Sequence, residues 1–344
     1  MGIGIAIMAM VSLGGLGEGI TEQMEAFAGG GVHLVGMEAG ASMDLSTIDQ
    51  EKVRRIDRLP RVRHAEGFLT GYAQVGALPY FVVFGYRPRG QMIGDFQIVE
   101  GERLATSRQI IIGRVAADNL DKRVGETLRV FESTFRIVGI YETGVPFEDG
   151  GGVISLRAAQ NLFGQPRKVS FLGIQVKDPL NAEEVIRQIE RRFPSVSISR
   201  ASEFSQDVVD LQMMQDATWA IALLALLVGS AGMTNTMVMS VFERTQEIGV
   251  LRALGWSRLR VVGMVLRESI ALSLLGGAVG VATGVGMIGV INALPFFEGL
   301  AQATFSLGLF AQALFTALVL GALGGTYPAW RASHLEPVEA LRYE

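Results

Sequence analysis

Glu243–Arg260 reads ERTQEIGVLRALGWSRLR, a charged stretch with helical spacing. It lies between two runs that suit lipid better than water. On its N-terminal side is Thr218–Phe242 (TWAIALLALLVGSAGMTNTMVMSVF), and on its C-terminal side is Ser269–Asn292 (SIALSLLGGAVGVATGVGMIGVIN). Neither carries a charge, and each meets the ~20 apolar residues that a helix needs to cross a ~30 Å hydrocarbon core. Phe305–Thr326 (FSLGLFAQALFTALVLGALGGT) is a further uncharged run of the same kind. The fold class follows: an α-helical integral membrane protein, with the quoted segment as a polar connector at one membrane face.

A fourth span is expected at the N-terminus. Met1–Leu16 (MGIGIAIMAMVSLGGL) is apolar, but its 16 residues reach only about 24 Å at 1.5 Å per residue. A truncated start is expected. The rival reading is a signal peptide cut near Ala26-Phe27-Ala28. Against it, no basic residue precedes the apolar run, and Glu18, Glu22 and Glu25 separate that run from the cut.

Orientation comes from the basic residues that flank the spans. Arg244, Arg252, Arg258, Arg260 and Arg267 lie between the second and third spans, Arg331 and Arg342 lie in the tail, and Ala293–Thr304 has no Lys or Arg. The connector and the tail are therefore expected in the cytoplasm. The long polar region between the first two spans is then extracytoplasmic. It holds 23 of the 30 Lys and Arg residues, which is no obstacle, because domains of this length translocate regardless of charge. The expected organisation is a first helix over residues 1–17, an outer domain over 18–217, and a membrane domain over 218–344. The last comprises spans 218–242, 269–292 and 305–326, the connector 243–260 and a tail 327–344.

In the third span Gly276, Gly280 and Gly284 fall four apart, with Ala278, Ala282 and Gly286 as a neighbouring row. Small residues at this spacing allow close helix approach in lipid, within the bundle or at a dimer interface. No ionisable residue sits in the middle of a span, and Asn235, flanked by Thr234 and Thr236, is the most polar point. Ion-coupled transporters use intramembrane ionisable groups, so the energy for any work is expected from outside this chain.

The outer region reads as mixed α/β. Strands are expected at Gly31–Met37, Gly67–Val75, Tyr80–Tyr86, Gln109–Ile112, Thr127–Phe131, Phe135–Tyr141, Ser170–Lys177 and Val196–Ser199. A hairpin turn is expected at Glu132-Ser133-Thr134. Ser46–Leu59 reads as a helix with Ile48, Val53, Ile56 and Leu59 inward, stopped by Pro60. Asn181–Phe193 reads as a helix capped by Asn181, with Glu183 and Glu184 suiting its dipole. Ser202–Asp216 reads as a helix running into the second span. The pattern suggests two βαβ-like pieces around a strand-rich insert at about residues 87–165. Glu148–Gly152 (EDGGG) reads as a solvated turn.

Catalytic constellations are missing from these 344 residues. There is no G-x-x-x-x-G-K-[ST] phosphate loop, no H-E-x-x-H and no G-x-S-x-G. The run Gly14–Gly19 (GGLGEG) does not fit a dinucleotide loop. With no cysteine and with His33, His64 and His334 far apart, no metal site is expected. The net charge of −4 offers no overall basic footprint for nucleic acid. No cofactor is expected.

Several segments taken together resemble one family. Ser240–Gly280 (SVFERTQEIGVLRALGWSRLRVVGMVLRESIALSLLGGAVG), Tyr327–Glu344 (YPAWRASHLEPVEALRYE), Gly125–Gly144 (GETLRVFESTFRIVGIYETG) and Leu16–Ile20 (LGEGI) resemble the FtsX/MacB superfamily of ABC-transporter permeases, with a MacB-like core domain. The C-terminal signature residues are Pro328, Trp330, Arg331, Pro337 and Leu341. The resemblance implies a multi-pass subunit of the cell membrane (the inner membrane in a Gram-negative cell) with four spans and an outer domain between the first two. It implies a second permease subunit, as a homodimer, and a cytoplasmic ABC ATPase dimer that supplies ATP hydrolysis. It also implies conversion of ATP-driven closure into motion of the outer domain. Outputs in the family include efflux through a periplasmic adaptor, lipoprotein release and control of cell-wall hydrolases. The rival from another class is a membrane sensor that recruits a cytoplasmic enzyme.

The connector then has two readings. As an interfacial helix its arginines meet anionic membrane lipid. As a coupling helix it docks on the ATPase through Glu243, Arg244, Glu247, Ile248, Gly249, Leu251, Arg252 and Leu254, with Gly255 as its stop. Ser257 is expected to cap the next helix.

Overall fold

A computed structural model describes residues 2–29, 31–43, 45–76, 78–204, 209–292 and 303–336. The chain divides into two compact units. One comprises Met1–Glu18, Gln215–Ile291 and Ala303–Glu344, and the other Gly19–Met214 with Asn292–Gln302. Pro337 and Leu341, and nearly all of the loop 293–304, lie outside the described residues.

The α/β unit is built on a 10-stranded sheet. Its first half uses β1 (Leu34–Glu38), β3 (Val62–Val75), β11 (Phe171–Val176) and β12 (Val196–Arg200), in the spatial order β12-β1-β11-β3. Neighbours in this half are antiparallel. A helix follows β1, namely α2 (Gln50–Asp57), and another follows β11, namely α6 (Ala182–Arg192). Each strand–helix–strand piece thus skips one neighbour, the split βαβ arrangement. A short pair, β2 (Ile48–Asp49) with β10 (Lys168–Val169), lies beside it. Ile48 and Asp49 are therefore strand rather than helix, and Ser46 leaves the helix altogether, its hydroxyl donating to the Ser170 carbonyl at 2.6 Å.

The second half continues through β4 (Leu78–Tyr86), β9 (Gly152–Ser155), β6 (Gln109–Gly113), β8 (Ser133–Glu142) and β5 (Gln97–Gly101), with β7 (Thr127–Val130) paired to β8. β3 is long enough to serve both halves, pairing with β11 up to Phe68 and with β4 from Leu69. The insert's pairing therefore starts before residue 87. The β7–β8 turn is Phe131-Glu132, one step earlier than expected, with Phe131 left-handed at φ 52°. Short helices α3 (Arg114–Asn119), α4 (Pro146–Asp149) and α5 (Leu156–Leu162) complete this half.

One sheet face packs Val53 and Ile56 of α2, Ala159 of α5, and Val185 and Ile189 of α6 into the larger core. The spacing of those α6 residues is that of an amphipathic helix. Asn181 does not cap α6: its amide donates to Asp178 at 2.6 Å. The opposite face buries Met24, Phe27 and Ala28, the end of α1 (Gly2–Gly29). Phe27 meets four rings, Phe68, Phe84, Phe147 and Phe171, at centroid distances of 5.7, 6.0, 5.9 and 6.0 Å.

The Glu148–Gly152 run is not a solvated turn. Gly152 opens β9, which lies in the middle of the sheet between β4 and β6. A Cβ on Gly151 would lie 2.6 Å from the Val82 carbonyl, and one on Gly152 would lie 2.9 Å from the Phe81 ring. The glycines serve close packing. Asp149 is buried and accepts hydrogen bonds from Thr143 N (2.8 Å), Thr143 Oγ1 (3.0 Å) and Gly144 N (3.0 Å). Tyr141 Oη donates to the Glu148 carbonyl at 2.6 Å.

Burial, and then the neighbouring Asp149 and Asp95 charges, push the Glu148 carboxyl up to about 7 from its ordinary 4.5. The folded chain keeps a proton that the unfolded chain releases near 4.5. Stability therefore falls as pH rises from about 4.5 to about 7 and is level above that. The full shift corresponds to at most about 3 kcal/mol, less because the side chain is partly solvated. Glu148→Gln is expected to remove this loss, so that the variant gains up to that amount over the native chain at pH 8 and nothing at pH 4.5. Denaturant unfolding at the two pH values measures it, and identical pH dependence in both proteins would refute it.

The other unit contains the membrane-type helices. Among the described residues four helices are long and apolar enough to cross a membrane. They are α1, α7 (Val209–Glu243), α9 (Arg258–Asn292) and α10 (Leu307–Ser333), and α8 (Thr245–Ala253) stands between α7 and α9. Each outruns its apolar stretch. α1 continues past Leu16, α9 starts in the arginine-rich segment, and α10 passes Thr326 with Pro328 inside it. Residues 205–208 lie outside the described set, and the helix that leads into the second span is described from Val209. Ser306 caps α10, accepting from Leu309 N at 3.0 Å, while the Glu18 carboxylate accepts from Ser306 N (3.0 Å) and Oγ (2.8 Å). Large apolar side chains such as Leu223, Leu227, Leu275, Val279 and Phe315 face outward, as a lipid solvent permits.

Candidate functional site

α8 and its flanking turns hold the residues that the sequence singles out. Glu243 is the last residue of α7 rather than part of the short helix, and Arg244 sits at the break. Thr245 is buried, and its hydroxyl donates to the Val241 and Phe242 carbonyls at 3.1 and 2.9 Å, closing α7. Arg244 Nη1 bonds both carboxylate oxygens of Glu268 on α9, at 2.9 and 3.1 Å. The pair is half exposed, so it positions the helix more than it stabilises it.

Ile248 and Gly249 are buried, and Ile248 joins the bundle core. Leu251 and Arg252 are intermediate, whereas Glu243, Arg244, Glu247, Leu254 and Gly255 are exposed. Arg252 is committed to the turn: its Nη1 donates to the Trp256 carbonyl at 3.0 Å, and its Nε is buried. Gly255, at φ 94°, ends the helix in a left-handed conformation that costs glycine little. Ser257 Oγ accepts from Arg260 N at 3.4 Å as α9 begins. The site therefore has two sides. Ile248, Gly249 and the Arg244–Glu268 pair fasten it. Glu247, Val250, Leu254 and Leu259 form an outward face, with Leu254 76% and Leu259 83% exposed.

Sequence reasoning missed Val250, Thr245 and Glu268. The helical period contained Val250, and Thr245 follows the last apolar residue of the span. Glu268 carried no signal, because it lies 24 residues from Arg244.

Arg331 of α10 stacks over the Phe242 ring at 4.6 Å. Trp330 is exposed, with His334 against it at 4.7 Å, and Pro328 is buried. The glycine row packs inside this unit. A Cβ on Gly280 would lie 2.5 Å from the Gly4 carbonyl, one on Gly284 3.1 Å from the Met8 carbonyl, and one on Gly276 a comfortable 3.7 Å from Ile3. Ser12 Oγ donates to the Gly284 carbonyl at 3.3 Å. Ala278, Ala282 and Gly286 face outward. Thr234 bonds the Gly324 carbonyl at 3.2 Å, while Asn235 is exposed.

The three histidines make separate local contacts: His33 accepts from Val176 N at 3.2 Å, His64 lies 3.4 Å from Asp57, and His334 packs tilted against Trp330. Among the described residues no group of three His, Asp or Glu is arranged to hold a metal.

A bundle of apolar helices joined by a polar connector, with a large α/β unit, is the architecture of an integral membrane protein. The family model for the FtsX-like permease C-terminal region matches residues 219–337, and that for the MacB-like periplasmic core domain matches residues 1–192. The chain belongs to this FtsX/MacB-like family of ABC transporter permeases. An uncharacterized ABC transporter permease of Methanocaldococcus jannaschii is 27% identical, over 100% of this chain and 93% of that protein. The macrolide export ATP-binding/permease protein MacB of Bdellovibrio bacteriovorus is 28% identical over 100% of this chain, which spans 58% of that protein's length. The uncharacterized ABC transporter permease YknZ of Bacillus subtilis is 27% identical over 90% of this chain and 77% of its own.

Proposed function

We propose that this chain couples ATP hydrolysis by a separate cytoplasmic ABC ATPase to movement of its α/β unit outside the cell membrane, in export or envelope maintenance. The observation that carries the reading is the two-sided α8. A helix fastened by Ile248, Gly249 and the Arg244–Glu268 pair, with Glu247, Val250 and Leu254 outward, suits a contact that must transmit force. Exposed leucines beside a carboxylate fit a protein groove, and arginines on the same connector can meet anionic lipid headgroups at its margin. Arginine placement supports a cytoplasmic position for this connector, and membership of an ABC transporter permease family supports an ATP-binding partner there. The absence of a phosphate loop from these residues supports a motor that lies outside them. A second permease subunit, as a homodimer, and a periplasmic adaptor or other envelope protein are the further partners proposed. Lipoprotein release and control of cell-wall hydrolases are alternative outputs of the same machine.

Glu247 is the clean test, because Arg252 is also needed for the turn. Glu247→Arg is expected to reduce co-purification of the ATPase about tenfold, the scale of a reversed interfacial charge, while membrane insertion and helix content stay unchanged. Undiminished co-purification would sink the docking assignment.

A further inference from the structure

The α/β unit carries a concave, strongly basic surface that α8 and its partner do not explain. Arg61 and Pro60, in the turn leading into β3, face Glu184, Arg187, Gln188, Arg191 and Arg192 of α6 across an open cleft. Arg61 is held in place by Glu184, Nη1 to Oε2 at 2.6 Å, and this guanidinium keeps the Glu184 carboxyl below the usual carboxylate range. Arg187, Arg191 and Arg192 form no ion pair with a carboxylate within 4 Å among the described residues, although the Arg187 charge also acts on Glu184. The helix dipole accounts for basic residues in the last turn of α6, where Arg191 and Arg192 lie. It accounts neither for Arg187 in mid-helix nor for the convergence of Arg61 from another element. The chain as a whole has a net charge of −4, so the patch is local and not a consequence of general basicity.

The lining identifies the occupant. All four cations are arginines, whose planar fork matches phosphate oxygens two at a time. The cleft's lining holds one apolar residue, the exposed Pro60, and no aromatic ring, so it lacks the large anchors that dominate a protein interface centre and the rings on which single-stranded nucleic acid stacks. A flat anionic bilayer needs no concavity. We infer that the cleft between the Pro60–Arg61 turn and α6 binds a small anion bearing several phosphate groups.

The test uses the full chain in micelles of an uncharged detergent, titrated calorimetrically with sodium tripolyphosphate. Saturable one-site binding is expected. Arg187→Gln/Arg191→Gln is expected to weaken it at least tenfold, whereas Arg123→Gln, an exposed arginine elsewhere on the unit, leaves it unchanged. Raising the salt weakens binding in the native chain more than in the double variant. Phosphatidylglycerol doped into the micelles tells the sources apart: displacement of tripolyphosphate assigns a lipid headgroup, and no displacement assigns a soluble phosphorylated ligand. No binding, equal loss in Arg123→Gln, or tighter binding of a poly-glutamate peptide than of tripolyphosphate would overturn the inference. None of these readouts uses the ATPase, so failure here is distinct from failure of the docking assignment.

Discussion

Replacing Phe27 by alanine is expected to cost the α/β unit about 4 kcal/mol, within the ~3–5 kcal/mol typical of a buried phenylalanine. The ring is 7% exposed and contacts four aromatic neighbours drawn from β3, β4, α4 and β11. These elements are far apart in the chain, and no single one can close over the space that an alanine leaves. Edge-to-face aromatic pairs add to the loss beyond buried area. For a unit of this size the midpoint of thermal unfolding should drop by roughly 8–16 °C, at ~2–4 °C per kcal/mol. Near-ultraviolet circular dichroism reports on the tyrosines and phenylalanines packed there. Phe27→Leu, which keeps most of the volume, should recover more than half of the loss. A loss below about 1 kcal/mol in the alanine variant would show that the aromatic face closes without Phe27.

The second large effect belongs to Gly280. A single added carbon already falls 2.5 Å from the Gly4 carbonyl and 2.9 Å from Ile7 Cβ. The nearest obstacle is backbone, so it has no rotamer to move away. Gly280→Leu is expected to expel α1 from its seat on α9, with a cost beyond the ~1–3 kcal/mol of ordinary overpacking. Gly276→Ala, four residues earlier on the same row, meets Ile3 only at 3.7 Å and should change stability by less than about 0.5 kcal/mol. Unfolding of the full chain in detergent, with the fraction running as a single species, compares the two. Equal tolerance at both positions would refute the packing argument.

How legible each feature was depended on the range of the interaction behind it. The spans and the polar connector needed only composition, because hydrocarbon imposes a length and an apolar requirement residue by residue. Gly255 needed only its local backbone. The face of α8 was legible as a period but not as a direction: Ile248 turned inward and Leu254 outward, while Glu243 went to the preceding helix. The Arg244–Glu268 clasp needed α9 to return beside α7. Glu148–Gly152 was misread because a run of Gly and acidic residues has the composition of a loop. Here the glycines exist so that β9 can pass between β4 and β6.

Sequence alone thus pointed to a permease of this family with four apolar runs, a polar connector and a mixed α/β region. These properties are written in local composition and in the order of segments. Only the tertiary structure decided which side of α8 is free, what surrounds Phe27 and Gly280, and that Arg61 converges with the α6 arginines. The reason is physical. Solvent preference acts on each residue separately and leaves a one-dimensional record. Packing, ion pairing and clefts are made by partners whose separation along the chain can exceed 100 residues, as for Arg61 and Glu184, and only folding brings them together.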